Sequence, residues 1–314
     1  MEKPKPLVSI IVPNYNHAVY LRRRLDTIFN QTFQDFEVII LDDCSSDNSK
    51  EIIEEYRNRP QVSHIVYNET NSGSPFKQWA KGFELAQGEY IWIAESDDWA
   101  DLNFLSTLVP ELNKKNTIVA FSNSTIVYPN KMELALDITS STLFNGLDFL
   151  KKHMIYGNSI SNASSAVFKK ECLNKISTTY ESFKSSGDWL FWIELCLLGK
   201  VYFSAKPLNY NNRHGNNVTA AWSKTKAEGT APLEDFYIYS YLKKQNLLSI
   251  YQTCSIAAIK LRWIEANKSN FISRDVYKKL KQTWGSNVIK TFLSKCVERS
   301  GFYLWKLIKV FFSS

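Results

Sequence analysis

The feature that most constrains the fold is an alternation of short apolar segments and longer amphipathic segments between residues 7 and 121. The apolar segments have the length of strands and lie at Leu7–Pro13, Phe36–Leu41, Val62–Tyr67, Tyr90–Ala94 and Ile118–Phe121. Between them, apolar residues recur at helical spacing in Val19–Gln31, Asp47–Arg57, Pro75–Gln87 and Leu102–Lys114. Continuous apolar strands that alternate with helices predict an α/β fold, with a mostly parallel sheet flanked by helices.

The sequence changes character near residue 229. Before that point, two more strands and one helix are predicted at Ser164–Phe168, Val201–Phe203 and Trp189–Leu198. From Leu233 onward the sequence is helical, aromatic and basic, and Gly229 and Pro232 break the chain just before it. We therefore predict two domains, residues 1–228 and a helical C-terminal region over residues 229–314.

The cysteines and the N-terminal sequence predict a cytoplasmic protein. Five cysteines are scattered and never form a CxxC pair, which is typical of reduced thiols rather than of a disulfide or zinc framework. The apolar run Leu7–Val12 is too short for the core of a signal peptide. No stretch approaches the roughly 18–20 apolar residues that span a bilayer.

The positive charge is concentrated at the C-terminal end. The formal net charge is +7, and residues 260–314 contain twelve Lys/Arg against three Asp/Glu. Residues 302–312 mix large apolar side chains with lysines, which favours a helix that lies peripherally on an anionic membrane surface. The alternative is an ordinary amphipathic helix that docks on the rest of the protein with its lysines in water.

Acidic residues follow two of the predicted strands. Asp42-Asp43 ends the second strand, and Glu95-Ser96-Asp97-Asp98 ends the fourth. Clustered carboxylates repel one another and are costly to desolvate, unless a cation or a ligand that donates hydrogen bonds lies among them. Carboxylate oxygens suit Mg²⁺ or Mn²⁺. The alternative is that Asp47, Asp98 or Asp101 caps the helix that follows.

Several segments together resemble the opening of family-2 glycosyltransferases with the GT-A fold. They are Val8-Ser9-Ile10-Ile11-Val12-Pro13-Asn14-Tyr15-Asn16, Gln31-Thr32-Phe33, and Phe36 to Asp47 with its Asp42-Asp43-Cys44-Ser45 core. Glu95 to Asp98 falls where that family carries its Asp-x-Asp motif, and Asn71-Ser72-Gly73 is similar to the Asn-x-Gly that precedes it. The resemblance covers about the first 215 residues. It implies a nucleotide-sugar donor and a divalent metal, Mn²⁺ or Mg²⁺.

The resemblance implies a role for each matching residue. Pro13 and Tyr15 line the pocket for the base, and Asp43 accepts a hydrogen bond from an imide N–H, which favours uridine or thymidine. The acidic segment is expected to bind the ribose and the metal that bridges the two phosphates. Asp97 would contact the nucleotide, and the metal ligands would be Glu95, Asp97 and Asp98. The sequence departs from the family pattern at Glu95, which replaces Asp, and at Cys44, which replaces Gly.

The base that deprotonates the acceptor is sought in Ser186-Gly187-Asp188, which opens an apolar helix. The family carries a Glu-Asp pair there, and the second acid is its base. Asp188 matches that acid, while Gly187 replaces the Glu. From its position alone, Asp188 is equally well explained as a helix cap.

A polar segment after the last predicted strand contains Arg213-His214. Related enzymes have an Arg-x-His segment here, which implies His214 as a metal ligand and Arg213 as a neutralising charge at the diphosphate. A lone histidine is more often structural. Further family contacts to donor or acceptor sugar fall at Asn158, Ser164 and Ser165, and Trp189 and Trp192 are candidates to pack against a sugar or in the core.

Together these features predict an inverting glycosyltransferase of the hexosyl- or N-acetylhexosaminyl-transferase type. The expected acceptor is a saccharide, in some cases lipid-linked, in cell-envelope polysaccharide assembly. No glycine-rich loop follows the first strand, which excludes nucleotidyltransferases and Rossmann oxidoreductases. The acidic clusters oppose a polyanion, so no nucleic-acid partner is expected. A catalytically inactive homologue or a nucleotide-binding interaction protein stays open as the alternative.

Overall fold

The structure, a computed structural model, describes residues 5–214 and 225–286. The chain divides into two compact units, Met1–Ala220 and Ala221–Ser314. In the described residues the first unit contains the sheet and its flanking helices, and the second is helical. The predicted α/β class and the helical C-terminal region are confirmed, while the domain division at residue 228 stays a prediction.

Ten strands form one sheet within the described part of the chain. They are β1 (Val8–Asn14), β2 (Phe36–Asp42), β3 (Val62–Tyr67), β4 (Tyr90–Ile93), β5 (Trp99–Ala100), β6 (Thr117–Tyr128), β7 (Lys131–Leu134), β8 (Thr142–Asn145), β9 (Ala166–Lys169) and β10 (Lys200–Asn212). The helices of the first unit are α1 (Ala18–Phe29), α2 (Ser49–Tyr56), α3 (Pro75–Leu85), α4 (Phe104–Leu112), α5 (Gly146–Phe149) and α6 (Gly187–Cys196). Those of the second unit are α7 (Thr230–Lys244), α8 (Ile250–Ala266) and α9 (Arg274–Ser286).

The strand order is β3-β2-β1-β4-β9-β6-β10-β5, with β7 on β6 and β8 on β10. Strands β3, β2, β1 and β4 are parallel, but β9 runs antiparallel to both β4 and β6. The sheet is therefore mixed rather than mostly parallel. In its parallel half, Asn14 pairs with Asp42 and Ile11 with Ile93, so β1, β2 and β4 end at one edge.

The central strands are buried on both faces because helices cover both. One face places Ile10, Val38 and Trp92 in a cluster with apolar residues of α1 and α4, and Trp92 stacks on Phe104 with centroids 4.5 Å apart. On α3, Phe83 stacks against Phe191 of α6 at 5.9 Å. Each fully buried aliphatic side chain contributes about 1.5–3 kcal/mol, so this layer fixes the strand ends that face the site.

Two strands are much longer than the sequence predicts. β6 and β10 continue past their apolar starts into polar residues that are nevertheless buried, including Ser124 and Asn209. The Asn209 side-chain amide donates a hydrogen bond to Ser124 Oγ at 3.0 Å across the strand pair. Apolar patterning cannot reveal such a strand, because its buried side chains are polar.

The second unit packs its helices around Trp284 of α9. The Trp284 ring is buried, meets Phe236 edge-on at 5.2 Å, and donates its Nε1 hydrogen to the carbonyl of Pro232 at 3.2 Å. Within the described residues, no helix combines the length and the apolar content needed to cross a membrane. The basic aromatic segment 302–312 lies outside the described residues, so its predicted membrane contact stays a prediction.

Cys44 follows β2 at the position where the family pattern has glycine. Its φ is +64°, in the left-handed region that disfavours any residue with a Cβ atom. The side chain is exposed, and its thiol donates a weak hydrogen bond to the carbonyl of Glu69 at 3.4 Å. The turn thus keeps the positive φ that glycine adopts easily at this position of the family pattern. The backbone of Cys44 is therefore strained.

Cys44→Gly should therefore raise the free energy of unfolding by about 1 kcal/mol relative to Cys44→Ala, because glycine reaches positive φ without steric cost. Cys44→Val should be the least stable of the three, since a β-branched residue is poorly tolerated there. Urea denaturation of the full chain measures the order. Equal stability of the glycine and alanine variants would show that the turn is not strained.

Candidate active site

The carboxyl edge of β2 is closed by Asp42, which is buried. Its Oδ1 accepts a hydrogen bond from the Asn14 side-chain amide at 2.8 Å, and its Oδ2 accepts one from the backbone of Ser45 at 2.9 Å. These contacts join the ends of β1 and β2. Asp42 therefore stabilises the loop that follows β2. Its neighbour Asp43 lies at the carboxyl edge of the sheet.

Asp43 is anchored by the segment that precedes and begins α3. Its Oδ1 accepts hydrogen bonds from the side chains of Asn68 at 2.6 Å and Gln78 at 2.8 Å, and from the backbone of Ser72 at 2.9 Å. Its Oδ2 accepts one hydrogen bond, from Ser72 Oγ at 2.7 Å. An oxygen of a carboxylate has two lone pairs, so Oδ2 retains one for a further donor.

Pro13 and Tyr15 lie on the same edge, at and just beyond the end of β1. Pro13 is buried and pairs with Leu41, whereas the Tyr15 side chain is 47% exposed. An exposed aromatic ring next to an anchored carboxylate provides a stacking surface beside a hydrogen-bond acceptor. That combination suits a flat heterocycle with an N–H group.

The acidic segment after β4 splits into side chains with different partners. Glu95 accepts a hydrogen bond from Trp79 Nε1 at 2.8 Å. Asp98 is buried and accepts hydrogen bonds from the Asn162 side chain at 2.5 Å and from the backbone of Asn212 at 3.0 Å. Asp98 thus links the segment after β4 to the end of β10. It does not cap α4, so the alternative interpretation of Asp98 as a helix cap is not supported.

Burial raises the pKa of two of these carboxyls, to about 8 for Glu95 and about 7 for Asp98, with repulsion from Asp97 as the second cause.

A fully buried arginine, Arg24 of α1, interacts electrostatically with these carboxyls. Its guanidinium carbon lies over the Trp92 ring, 4.8 Å from the ring centroid. Among residues 5–214 and 225–286, none of its three guanidinium nitrogens has a hydrogen-bond partner. Burial lowers the pKa of Arg24 to about 10, against the raising effect of the three carboxyls.

Asp97 is the member of the segment that meets histidine. Its Oδ2 lies 3.0 Å from Nε2 of His214, although 117 positions separate the two residues. They meet because β5 pairs with β10, where the Trp99 and Tyr210 rings stack at 5.2 Å. His17, just before α1, completes the group, since one ring nitrogen of each histidine and one Asp97 oxygen lie within 4.8 Å of one another.

These residues fit a divalent cation. A carboxylate and two imidazoles offer ligand atoms that lie within 4.8 Å of one another. Burial also lowers the pKa of His17, which favours the neutral ring that a metal requires. Of the predicted ligands, the structure brings Asp97 and His214 together, whereas Glu95 and Asp98 are engaged by Trp79, Asn162 and the backbone of Asn212.

Asp188 lies in the first turn of α6 and is half-buried. Its Oδ2 accepts a hydrogen bond from the Asn158 side-chain amide at 2.9 Å, and Asn158 Oδ1 accepts one from the backbone of Ile160 at 3.1 Å. The second contact fixes the orientation of the amide, so Asn158 can only donate to Asp188. The carboxylate is therefore held in one orientation.

Gly187 has a packing reason to replace the family's glutamate. A Cβ atom at this position would lie 2.6 Å from the Phe76 ring and 2.6 Å from the carbonyl oxygen of Tyr180. Real Cβ atoms do not approach other atoms so closely, so no side chain fits unless α3 or the Tyr180 segment moves. The missing glutamate is thus accounted for by close packing.

Other predicted contact residues are structural in the described protein. Ser164 is buried, and its Oγ accepts a hydrogen bond from the backbone of Glu95 at 3.1 Å, while Ser165 Oγ donates to the carbonyl of Asn162 at 2.8 Å. Trp192 is fully buried and Trp189 is 6% exposed, so both are core residues. Arg213 is half-buried, directly after β10.

The sequence did not identify His17, Asn162 or Arg24 as residues of the site. His17 carried one available signal, because it directly follows the Pro13–Asn16 motif at a strand end. Asn162 and Arg24 carried none, since their importance comes from contacts with residues far away in the sequence.

Comparison with known proteins identifies the family. The model of glycosyl transferase family 2 matches residues 9–176. Glycosyltransferase GlyG of Streptococcus pneumoniae is 35% identical over 117 residues, which cover 37% of this chain and only 38% of that protein. The poly(ribitol-phosphate) beta-N-acetylglucosaminyltransferase TarP of Staphylococcus aureus is 25% identical over 90% of this chain and 88% of its own.

A solved structure extends the agreement to the fold. The crystal structure of S. aureus TarS 1–349 in complex with UDP-GlcNAc superposes with a TM-score of 0.67, at 21% identity, over 92% of this chain and 84% of that one. The predicted GT-A fold is thereby confirmed. Because the family model covers more than half of the sequence, the chain belongs to glycosyl transferase family 2.

Proposed function

We propose that this protein is an inverting, metal-dependent glycosyltransferase that moves a sugar from a UDP-sugar to a hydroxyl of a saccharide acceptor. The observation that carries the proposal is the convergence of Asp43, the Asp97–His214 pair and the exposed Tyr15 ring at one edge of the sheet. In open α/β sheets, ligands bind at the carboxyl ends of the strands.

The donor base is expected between Tyr15 and Asp43. The imide N–H of uracil or thymine is a single donor, which matches the one lone pair left on Asp43 Oδ2. The hydrogen bonds from Asn68 and Gln78 to Oδ1 and from Ser72 Oγ to Oδ2 hold the carboxylate in place. The two similar S. aureus proteins, one named as an N-acetylglucosaminyltransferase and one crystallised with UDP-GlcNAc, favour an N-acetylhexosamine as the sugar.

The diphosphate is expected at Asp97 and His214, where a Mn²⁺ or Mg²⁺ ion would be held. The ion, when bound, stabilises the charge that develops on the departing diphosphate. Arg213, next to His214, supplies a further positive charge at the same point. The buried carboxyls of Glu95 and Asp98 complement a cation there without being its direct ligands.

Asp188 is the proposed general base. The acceptor hydroxyl gives its proton to the Asp188 carboxylate as the hydroxyl oxygen bonds to the anomeric carbon. The bond from that carbon to the diphosphate oxygen breaks on the opposite side, so the configuration inverts. Asn158 holds the carboxylate in one orientation and thereby lowers the entropic cost of the attack.

The acceptor is proposed to be a saccharide of the bacterial cell envelope, in some cases lipid-linked. The name of TarP gives poly(ribitol-phosphate), a polymer with free hydroxyls, which supports a polymeric acceptor. Peripheral contact with the inner face of the cytoplasmic membrane through the basic C-terminal segment fits that acceptor. An inactive homologue is the alternative, with Glu95 and Gly187 as the departures that would suggest it. Close packing accounts for Gly187, and Glu95 keeps a carboxyl in the acidic segment, held by Trp79.

Asp188→Asn should lower kcat by about 10²–10⁴-fold with little change in KM for the donor, because the amide cannot accept the proton while its size is unchanged. UDP release from UDP-GlcNAc, with a panel of envelope saccharides and Mn²⁺, measures both constants.

Asp148→Asn is the matched control, since Asp148 is an exposed aspartate in the first turn of another helix. It should leave kcat unchanged. Wild-type turnover by Asp188→Asn, with the control equally active, would remove Asp188 from the chemistry.

UDP-sugars should raise the Tm in the presence of Mn²⁺ more than GDP-sugars do. The reason is that guanine does not present the single imide N–H that matches the one free lone pair on Asp43 Oδ2. A ligand at 100 times its Kd contributes about 2.7 kcal/mol of stability. Asp97→Asn should abolish the metal-dependent part of the shift.

Asp137→Asn serves as control here, because Asp137 is exposed and distant in sequence from the acidic segment. It should respond as the wild type does. A shift that is equal for all nucleotides, or unaffected by Asp97→Asn, would contradict the proposed donor site.

A further inference from the structure

His17 has no assigned part in the proposed reaction, yet it lies at the point where Asp97 and His214 meet. One nitrogen of its ring is within 4.8 Å of the ligand atoms that Asp97 and His214 offer. In residues 5–214 and 225–286, no other set of three His, Cys, Asp or Glu side chains converges in this way. The three come from the start of α1, the segment after β4 and the residues after β10.

The His17 ring is held in place by its surroundings. Its Nδ1 lies 2.8 Å from the hydroxyl of Ser96, and its plane meets the His214 ring edge-on at 89°, with centroids 5.5 Å apart. Tyr20 packs against His214 at 4.5 Å. A metal-binding histidine usually has its ring orientation fixed by a hydrogen bond to a neighbouring group.

The distances suit a metal of the first transition row. Metal–ligand bonds to imidazole nitrogen and carboxylate oxygen are about 2.0–2.2 Å, so ligand atoms lie about 3–3.5 Å apart around one ion. Asp97 and His214 already lie 3.0 Å apart. The ligand nitrogen of His17 lies within 4.8 Å of both atoms, so it must move closer when an ion binds.

The donor set also indicates which metal. Mg²⁺ usually takes one or two protein carboxylates and relies on substrate phosphates for the rest. Two imidazoles and one carboxylate instead favour later first-row metals, whose affinity rises from Mn²⁺ to Co²⁺. Three protein ligands also allow binding before any nucleotide arrives.

We propose that His17 is a third protein ligand, and that the protein binds Mn²⁺ or Co²⁺ without nucleotide, with Co²⁺ tighter than Mn²⁺ and Mn²⁺ tighter than Mg²⁺. This inference rests on the metal site of the proposed function, but it adds a ligand, a metal order and a sequence of binding. The metal enters first, and the donor diphosphate then occupies the positions that the protein leaves open.

The test is a Co²⁺ titration of the full-length, nucleotide-free protein, followed by the visible absorption of bound Co²⁺ and by calorimetry. His17→Ala should weaken Co²⁺ binding at least about tenfold, since even the loss of a partner that only orients a metal ligand costs about 10–100-fold in affinity. His64→Ala, at a half-buried histidine of β3, should bind as the wild type does. His17→Gln, with its Tm measured, provides a second variant if the alanine variant folds poorly.

Equal Co²⁺ affinity in the wild type and in a folded His17 variant would overturn the proposal. Binding that appears only after UDP is added would overturn it as well, while leaving the metal-dependent transfer of the proposed function intact. If Co²⁺ and Mn²⁺ fail to bind even with UDP, the metal site of the proposed function fails too.

Discussion

The structure depends on the close packing of three acidic side chains at the carboxyl edge of its sheet. Glu95, Asp97 and Asp98 follow one buried strand, and burial raises the pKa of Glu95 and Asp98, which favours their neutral forms. The positive charge of the buried Arg24 guanidinium opposes this shift, because it lowers the pKa of both carboxyls. A divalent cation held as proposed at Asp97 would favour their ionised forms in the same way.

The surrounding scaffold exists to hold these groups in one place. Parallel pairing of β1 with β2 and β4 aligns the strand ends, and the short β5 carries the acidic segment against β10. Hydrogen bonds then fix individual side chains, with Asp43 held by Asn68, Ser72 and Gln78 and Asp188 held by Asn158. Side chains that are positioned before the substrate arrives need little reorganisation during reaction.

The sequence predicted what local pattern controls. The apolar strands of the parallel half, the acidic residues at their ends and the fold class all follow from hydrophobic runs and motif spacing. The lengths of β6 and β10 did not follow, because their later buried side chains are polar and one pair is joined by the hydrogen bond from Asn209 to Ser124. His17 and Asn162 were missed because their positions depend on contacts between distant segments. The roles of Asp43, Asp188 and His214 stay proposals that only ligand and kinetic data test.

Displacement with inversion at this edge of the sheet can be tested by following the slow hydrolysis of the donor in the absence of an acceptor, and by measuring the anomeric configuration of the released sugar. The protein is incubated with UDP-GlcNAc, whose sugar is α-linked, and Mn²⁺, and the first sugar released is observed by proton NMR before its anomers equilibrate. We expect β-GlcNAc to appear first, because water takes the place of the acceptor hydroxyl and attacks the anomeric carbon on the face opposite the diphosphate. Initial release of α-GlcNAc would contradict it, since retention requires a second displacement that this site is not proposed to perform.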